Sequence, residues 1–181
     1  MKHRIMNGTE DKLFAILFRS YTSLEKKIQQ RISEISQPIC TKCTSRCCKE
    51  EICRESIESN FLSILIKDQQ IRYDPQNGWI SPLGCGLSYG RPLVCYEFFC
   101  EQIEGSNKFQ TSNMQQAVKE FVAIGSKAHG NAHLICVDNL GLISAGKIAR
   151  INDRIGRLMA KLANAINIEG QGRCFSHSKS R

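Results

Sequence analysis

The chain is poor in several things that would announce a function. Its 181 residues include four prolines, one tryptophan and four histidines, and aromatic residues make up 7% of it. The apolar run Leu13 to Phe18 near the N-terminus is only six residues long, follows Glu10-Asp11-Lys12 and lacks a small-residue cleavage site. Neither an export signal nor a membrane anchor is expected from it. The expected location is therefore the cytoplasm, where thiols stay reduced. No serine-histidine-acid or cysteine-histidine arrangement and no carboxylate pair stands in a recognisable setting, so the sequence names neither a reaction nor a substrate. Acidic residues are also few, 17 against 25 Lys and Arg, and the net charge is +8. That balance raises nucleic acid as a partner, but the basic residues are spread through all segments and are densest only at the tail. A dedicated nucleic-acid face is the weaker reading.

Cysteine is what the chain has in excess. Eight of its ten cysteines fall between Cys40 and Cys100. They form a first group, Cys40, Cys43, Cys47, Cys48 and Cys53, and a second, Cys85, Cys95 and Cys100. A thiolate is a soft anionic ligand, and several at one point bind zinc tetrahedrally or hold the irons of an iron–sulfur cluster. Cys40 and Cys43 are close enough to reach one ion across a tight turn, and the second group can supply the remaining ligands. Disulfides would suit a secreted chain instead. Simple burial would not require four cysteines within nine positions. The ligand set expected is Cys40, Cys43, Cys47, Cys48, Cys85, Cys95 and Cys100, with Cys53 the weakest member. Seven or eight thiols exceed what one mononuclear site uses, which leaves two zinc ions or an iron–sulfur cluster. Lys42, Arg46, Lys49, Arg54 and Arg91 are placed in sequence to offset the thiolate charge.

This pattern resembles the YkgJ-type zinc- or iron-chelating domain family. Its CxxCxxxCC-like cluster corresponds to Cys40, Cys43, Cys47 and Cys48, and its later cysteine and RPxxCxxFxC-like segment to Cys85, Arg91, Pro92, Cys95, Phe98 and Cys100. The resemblance covers about a third of the chain. It implies metal or iron–sulfur binding in a bacterial protein, and kinship with flagellin lysine methylases suggests redox or methyl-transfer chemistry. It assigns no reaction.

Around the cysteines the patterning is helical. Phe14, Tyr21, Ile28 and Ile35 recur every seven residues, with Leu17, Leu24 and Ile32 on the same face, which predicts one amphipathic helix from a Thr9 cap to Pro38. Ser59 to Lys67 reads as a short buried helix or strand. Asp74-Pro75-Gln76-Asn77-Gly78 is a strong turn signal between Ile71-Arg72-Tyr73 and Trp79-Ile80-Ser81, predicting a hairpin across it. Gly84 and Gly86 would let the backbone approach a metal closely. Arg91-Pro92 marks a helix start that ends or loosens before Cys100. A polar linker, 101 to 111, leads to a helical half: Ser112 and Gln115 form a capping box before Ala117, Phe121, Ile124, Ala128, Ala132 and Ile135. Ile148, Ile151, Ile155, Leu158, Leu162 and Ala165 mark the last helix.

Two further constellations lie in the C-terminal half. His129, His133 and Cys136 at i, i+4 and i+7 would share one face of a continuous helix, an open nitrogen and sulfur site, yet they also simply extend the rim of the apolar stripe. Gly141 to Ile148 matches a phosphate loop except that Ile148 stands where Ser or Thr is needed, and reads more simply as a turn with Ser144 as cap.

The expected fold is mainly α, a helical bundle with a cysteine-rich metal-binding insert containing a small hairpin. It divides into an N-terminal helix (1–37), the cysteine-rich region (38–104), a C-terminal helical region (105–169) and a disordered tail (170–181) holding Cys174. The expected cofactor is an iron–sulfur cluster or zinc. A structural zinc module that binds a protein partner is the alternative, a nucleic-acid binder the second. No membrane is involved.

Overall fold

The computed structural model of the chain describes residues 8–42, 49–81, 84–107 and 113–172. The fold is mainly helical. Helix α1 spans Gly8–Cys40, α2 Glu50–Glu58, α3 Asn60–Ile66, α4 Val94–Glu97, α5 Glu101–Glu104, α6 Met114–Ile124 and α7 Ala145–Gly172. The strands β1 (Ile80–Ser81) and β2 (Gly84–Cys85) pair antiparallel.

The heptad series in α1 does what its spacing predicts. Phe14, Leu17, Tyr21, Leu24 and Ile28 are all buried, on one face. Residues three and four apart lie one above the other on a helix, so the row forms a continuous apolar seam. Against it lie Ile148, Ile151, Ile155 and Leu158 of α7, buried in the same core with Phe61 and Leu62 of α3 and Phe121 of α6. Each such side chain contributes roughly 1.5–3 kcal/mol by leaving water. Rings interlock at the centre: Tyr21 meets Phe61 edge-on at 5.0 Å, and Phe121 contacts both Tyr21 (5.4 Å) and Tyr96 (5.0 Å). Helices α6 and α7 run antiparallel, since Arg154 donates to the Ile124 carbonyl at 3.4 Å while Lys161 reaches Glu120 at 2.8 Å.

Several boundaries depart from the sequence expectation. Pro38 does not end α1 but sits inside its last turn, and the helix runs on to Cys40. A proline this close to a helix end removes one hydrogen bond and leaves the final turn closed, with Thr41 donating to the Gln37 carbonyl at 3.0 Å. The segment after Cys100 is not wholly a linker: α5 folds there and buries Ile103. The tail is helical as far as Gly172. Ser112 and Cys174 lie outside the described residues, and Asn113 is the residue that precedes α6.

The larger shift is in the helical half. Helix α6 stops at Ile124, and Gly125 starts a turn through Lys127, at φ 57°, and Gly130, at φ 55°. The returning chain packs tightly on Gly125: a Cβ there would stand 2.5 Å from Cε1 of His133, so the fold-back requires glycine at this position, and the Leu134 N–H donates to the Gly125 carbonyl at 2.9 Å. Ala128 and Ile135 are still buried, reached by loop rather than helix.

Candidate metal centre

A helix and a hairpin place Cys53 and Cys85 at one small cluster. Cys53 lies on α2, whose buried side also presents Ser56. Cys85 ends β2, where it pairs with Ile80. Between them the loop 74–79 is tied down by its own polar groups. The Asp74 carboxylate accepts from the Gln76 and Asn77 N–H groups at 2.7 and 2.8 Å, which is the side-chain turn these residue types favour. That interaction holds the carboxyl below its usual range. Asp74 and Gly78 exchange backbone hydrogen bonds, so the turn closes on itself. The expected hairpin across 74–78 therefore reduces to a single bridge, and the paired strands form one step later, between Ile80–Ser81 and Gly84–Cys85.

The loop presses onto α2. Gly78 has φ +62°, and a Cβ there would lie 2.5 Å from Cys53 Cβ and 2.8 Å from its Sγ. The indole N–H of Trp79 donates to the Cys53 carbonyl at 3.2 Å. The Tyr73 hydroxyl donates to Glu50, whose other oxygen holds Arg54 at 2.6 Å, and the Tyr73 ring meets Trp79 edge-on at 5.1 Å. Cys53, Trp79 and Leu87 form a small buried cluster against which Cys85 packs. Burial pushes the Cys53 thiol up, the Trp79 backbone N–H facing its sulfur offsets part of that rise, and the nearby Cys85 and Glu50 add to it. Gly84 has nothing within 4 Å of where a Cβ would be, and Gly86 makes only ordinary contacts. The close approach expected of those two is made by Gly78.

The segment carrying the remaining cysteines hangs on one buried carboxylate. Glu25 of α1 is 0% exposed. It accepts from the Gly90 and Arg91 N–H groups at 2.8 and 2.9 Å and from the Tyr96 hydroxyl at 2.5 Å, and Gln29 donates to that hydroxyl at 2.7 Å. A buried carboxylate is tolerated when its lone pairs are filled in this way. Burial still raises the Glu25 pKa, with the hydrogen bonds working against the rise. Arg91 turns its guanidinium to the Leu87 carbonyl, at 3.0 and 2.7 Å, and so clamps the turn that follows Cys85 rather than standing as a solvated side chain.

From there Pro92 leads into α4, which ends at Glu97, so the helix does stop before Cys100. Cys95 is half-buried against the main core, and the carbonyl of Cys100 accepts the first hydrogen bonds of α5. Cys40 is exposed at the end of α1. Cys53, Cys85, Cys100 and Cys136 are free thiols. Cys43, Arg46, Cys47 and Cys48 lie outside the described residues. Among the described residues, no group of three or more His, Cys, Asp or Glu side chains converges to hold a metal. The two cysteines that share one cluster are Cys53 and Cys85, and the sequence ranks Cys53 last of the eight. Glu25 was legible only as a lone charge at the edge of the Tyr21, Leu24 and Ile28 stripe.

His129, His133 and Cys136 do not share a helix face. His133 precedes a 3-10 turn at Leu134–Cys136, and both its ring nitrogens are engaged, Nε2 with the Val122 carbonyl at 2.9 Å and Nδ1 with the Ile135 N–H at 3.3 Å. His129 Nδ1 faces the Leu142 carbonyl at 3.2 Å. Burial lowers the His133 pKa, which keeps the ring neutral. Only His133 is a half-buried rim residue of the apolar core, while His129 and Cys136 are exposed. The phosphate-loop reading fails as well: such a loop follows a β-strand, whereas Leu134–Cys136 is a 3-10 turn, and Lys147 Nζ donates to the Lys127 carbonyl at 2.9 Å. The segment is a turn into α7, with the Ser144 carbonyl accepting its first hydrogen bonds.

Among the described residues no helix is long and apolar enough to cross a membrane. No family model, no curated protein and no solved structure matches the chain.

Proposed function

We propose that the chain is a metal-binding protein whose cysteines between α1 and α5 chelate an iron–sulfur cluster or zinc. The observation that carries this reading is that Cys53 and Cys85, from separate elements, pack into one small cluster beside the Gly78 turn. Two thiols on a helix and a hairpin, steadied by Trp79, Tyr73 and Glu50, are half of a tetrahedral thiolate set. The cysteine spacing and its resemblance to YkgJ-type chelating domains support the same conclusion, as does Glu25, which fastens the Arg91-Pro92 segment that leads to Cys95 and Cys100. Free thiols suit a reducing cytoplasm.

The test is metal and acid-labile sulfide content of protein purified without oxygen and without a His-tag. Zinc with no colour, or iron with labile sulfide and a broad visible band, supports the reading. Metal-free protein overturns it.

A second role, contact with a protein partner, is favoured by one observation. Phe98 is 62% exposed and Val94 37% exposed, flanking Cys95 on and after α4. An apolar patch beside a metal-ordered segment is suited to a partner surface that forms only in the loaded protein.

A further inference from the structure

The Gly78 turn has features that a buried structural cysteine does not call for. Position 78 admits only glycine on two separate counts, a φ of +62° and the 2.5 Å approach to Cys53. A Trp79 backbone N–H faces the sulfur. The same residue uses its carbonyl to accept the Gly86 N–H at 2.8 Å, which fixes the backbone next to Cys85. One residue thus sets the position of both thiols. Loop and helix are joined a second time through Tyr73 and Glu50, so the loop that carries Trp79 is docked on α2 without any ligand. Preorganised donors bind a metal more tightly because less motion is lost on binding.

The geometry points to Cys53 and Cys85 as two thiolate arms of one soft-metal site, with Trp79 as the residue that positions both. This deepens the metal-binding reading and rests on it. The class of ligand is a thiophilic transition-metal ion, zinc or iron, and cobalt(II) serves as the probe. N–H···S contacts of this kind orient a thiolate and tune the metal it holds.

Trp79 is the only tryptophan in the chain, which gives the site its own reporter. The full-length protein, stripped of metal and kept reduced, is titrated with cobalt(II) while the thiolate-to-cobalt charge-transfer band and Trp79 fluorescence are recorded together. Wild type is expected to develop the band and lose fluorescence at one common midpoint. Cys85→Ser and Cys53→Ala are each expected to abolish the quenching and to lower the band by at least about a quarter, one thiolate in four. Cys136→Ser, in the 3-10 turn Leu134–Cys136 and outside the Cys53, Trp79 and Leu87 cluster, leaves both signals unchanged. Circular dichroism establishes that each variant is folded. If Cys53→Ala is not, the half-buried Cys85 position decides alone. A wild-type band that survives intact in the folded variants overturns the assignment of this pair while leaving the metal-binding reading standing. Absence of any band in wild type overturns both.

Discussion

The Glu25 carboxylate accepts the Tyr96 hydroxyl at 2.5 Å, and through this contact the first helix holds the segment between Cys85 and Cys100. The same carboxylate takes the Gly90 and Arg91 N–H groups, so one side chain satisfies these three buried or half-buried donors, with the Gln29 amide a longer fourth at 3.4 Å. Glu25→Ala would leave them unpaired, at a cost of roughly 3 kcal/mol. For a chain of this size that corresponds to a fall in Tm of about 6–12 °C. Thermal unfolding by circular dichroism at neutral pH measures it, and a shift under about 2 °C would show that the segment is held by other means.

Glu25 also has a pH signature. Burial lifts its pKa above the ordinary 4.5, so the proton prefers the folded chain. The stabilisation this brings is complete below pH 4.5 and is lost as pH rises through the raised value. Glu25→Gln cannot titrate. The Tm advantage of wild type over Glu25→Gln should therefore shrink as pH rises above 4.5, and an advantage that grows instead would reverse the assigned sign.

Gly78 and Gly84 separate steric fit from backbone strain. Both have positive φ, +62° and +110°, but only at Gly78 would a Cβ collide with anything. Gly84→Ala should cost about 1–2 kcal/mol, from strain alone. Gly78→Ala should cost about 2–4 kcal/mol, strain plus the collision with Cys53. Urea unfolding followed by Trp79 fluorescence ranks the two, and equal costs would mean that Cys53 yields freely.

His133 sets a limit on the acid side. Its lowered pKa means that the folded chain prefers the neutral ring. The stabilisation is present above the ordinary value of 6.5 and is lost as pH falls through the lowered one. Wild-type Tm should drop on acidification below pH 6.5 by more than that of His133→Gln. Parallel curves for the two proteins would place the acid sensitivity elsewhere.

Much of the fold was legible because helix periodicity is a local signal. The rows Phe14 to Ile28 and Ile148 to Leu158 are buried as their spacing requires. The departures have physical causes beyond the local pattern. Helix α1 runs through Pro38 because a missing donor is tolerated in a final turn, and α6 gives way after Ile124 to a turn in which the returning His133 ring packs on Gly125. The hairpin slips past the Asn77-Gly78 signal because Asp74 closes that turn with its own side chain. The site was less legible. Cysteine spacing marks the region, but that Cys53 should meet Cys85 depends on a loop docking onto a helix, and Glu25 acts on residues about 65 positions away, at Gly90.

Metal removal offers a further check. If thiolates at Cys53 and Cys85 close a metal between α2 and the hairpin, chelation under reducing conditions should lower Tm and expose the buried Trp79 to quenching by iodide, with the α1 and α7 core retained. An unchanged Trp79 accessibility after complete chelation would separate the metal from this loop.

The most direct measurement is X-ray absorption at the edge of whatever metal the purified protein carries. Four sulfur scatterers at about 2.3 Å are predicted for zinc, or a sulfur shell with a short iron–iron distance for a cluster. A first shell made only of nitrogen and oxygen would contradict the account, because the metal would then be bound somewhere other than the cysteines.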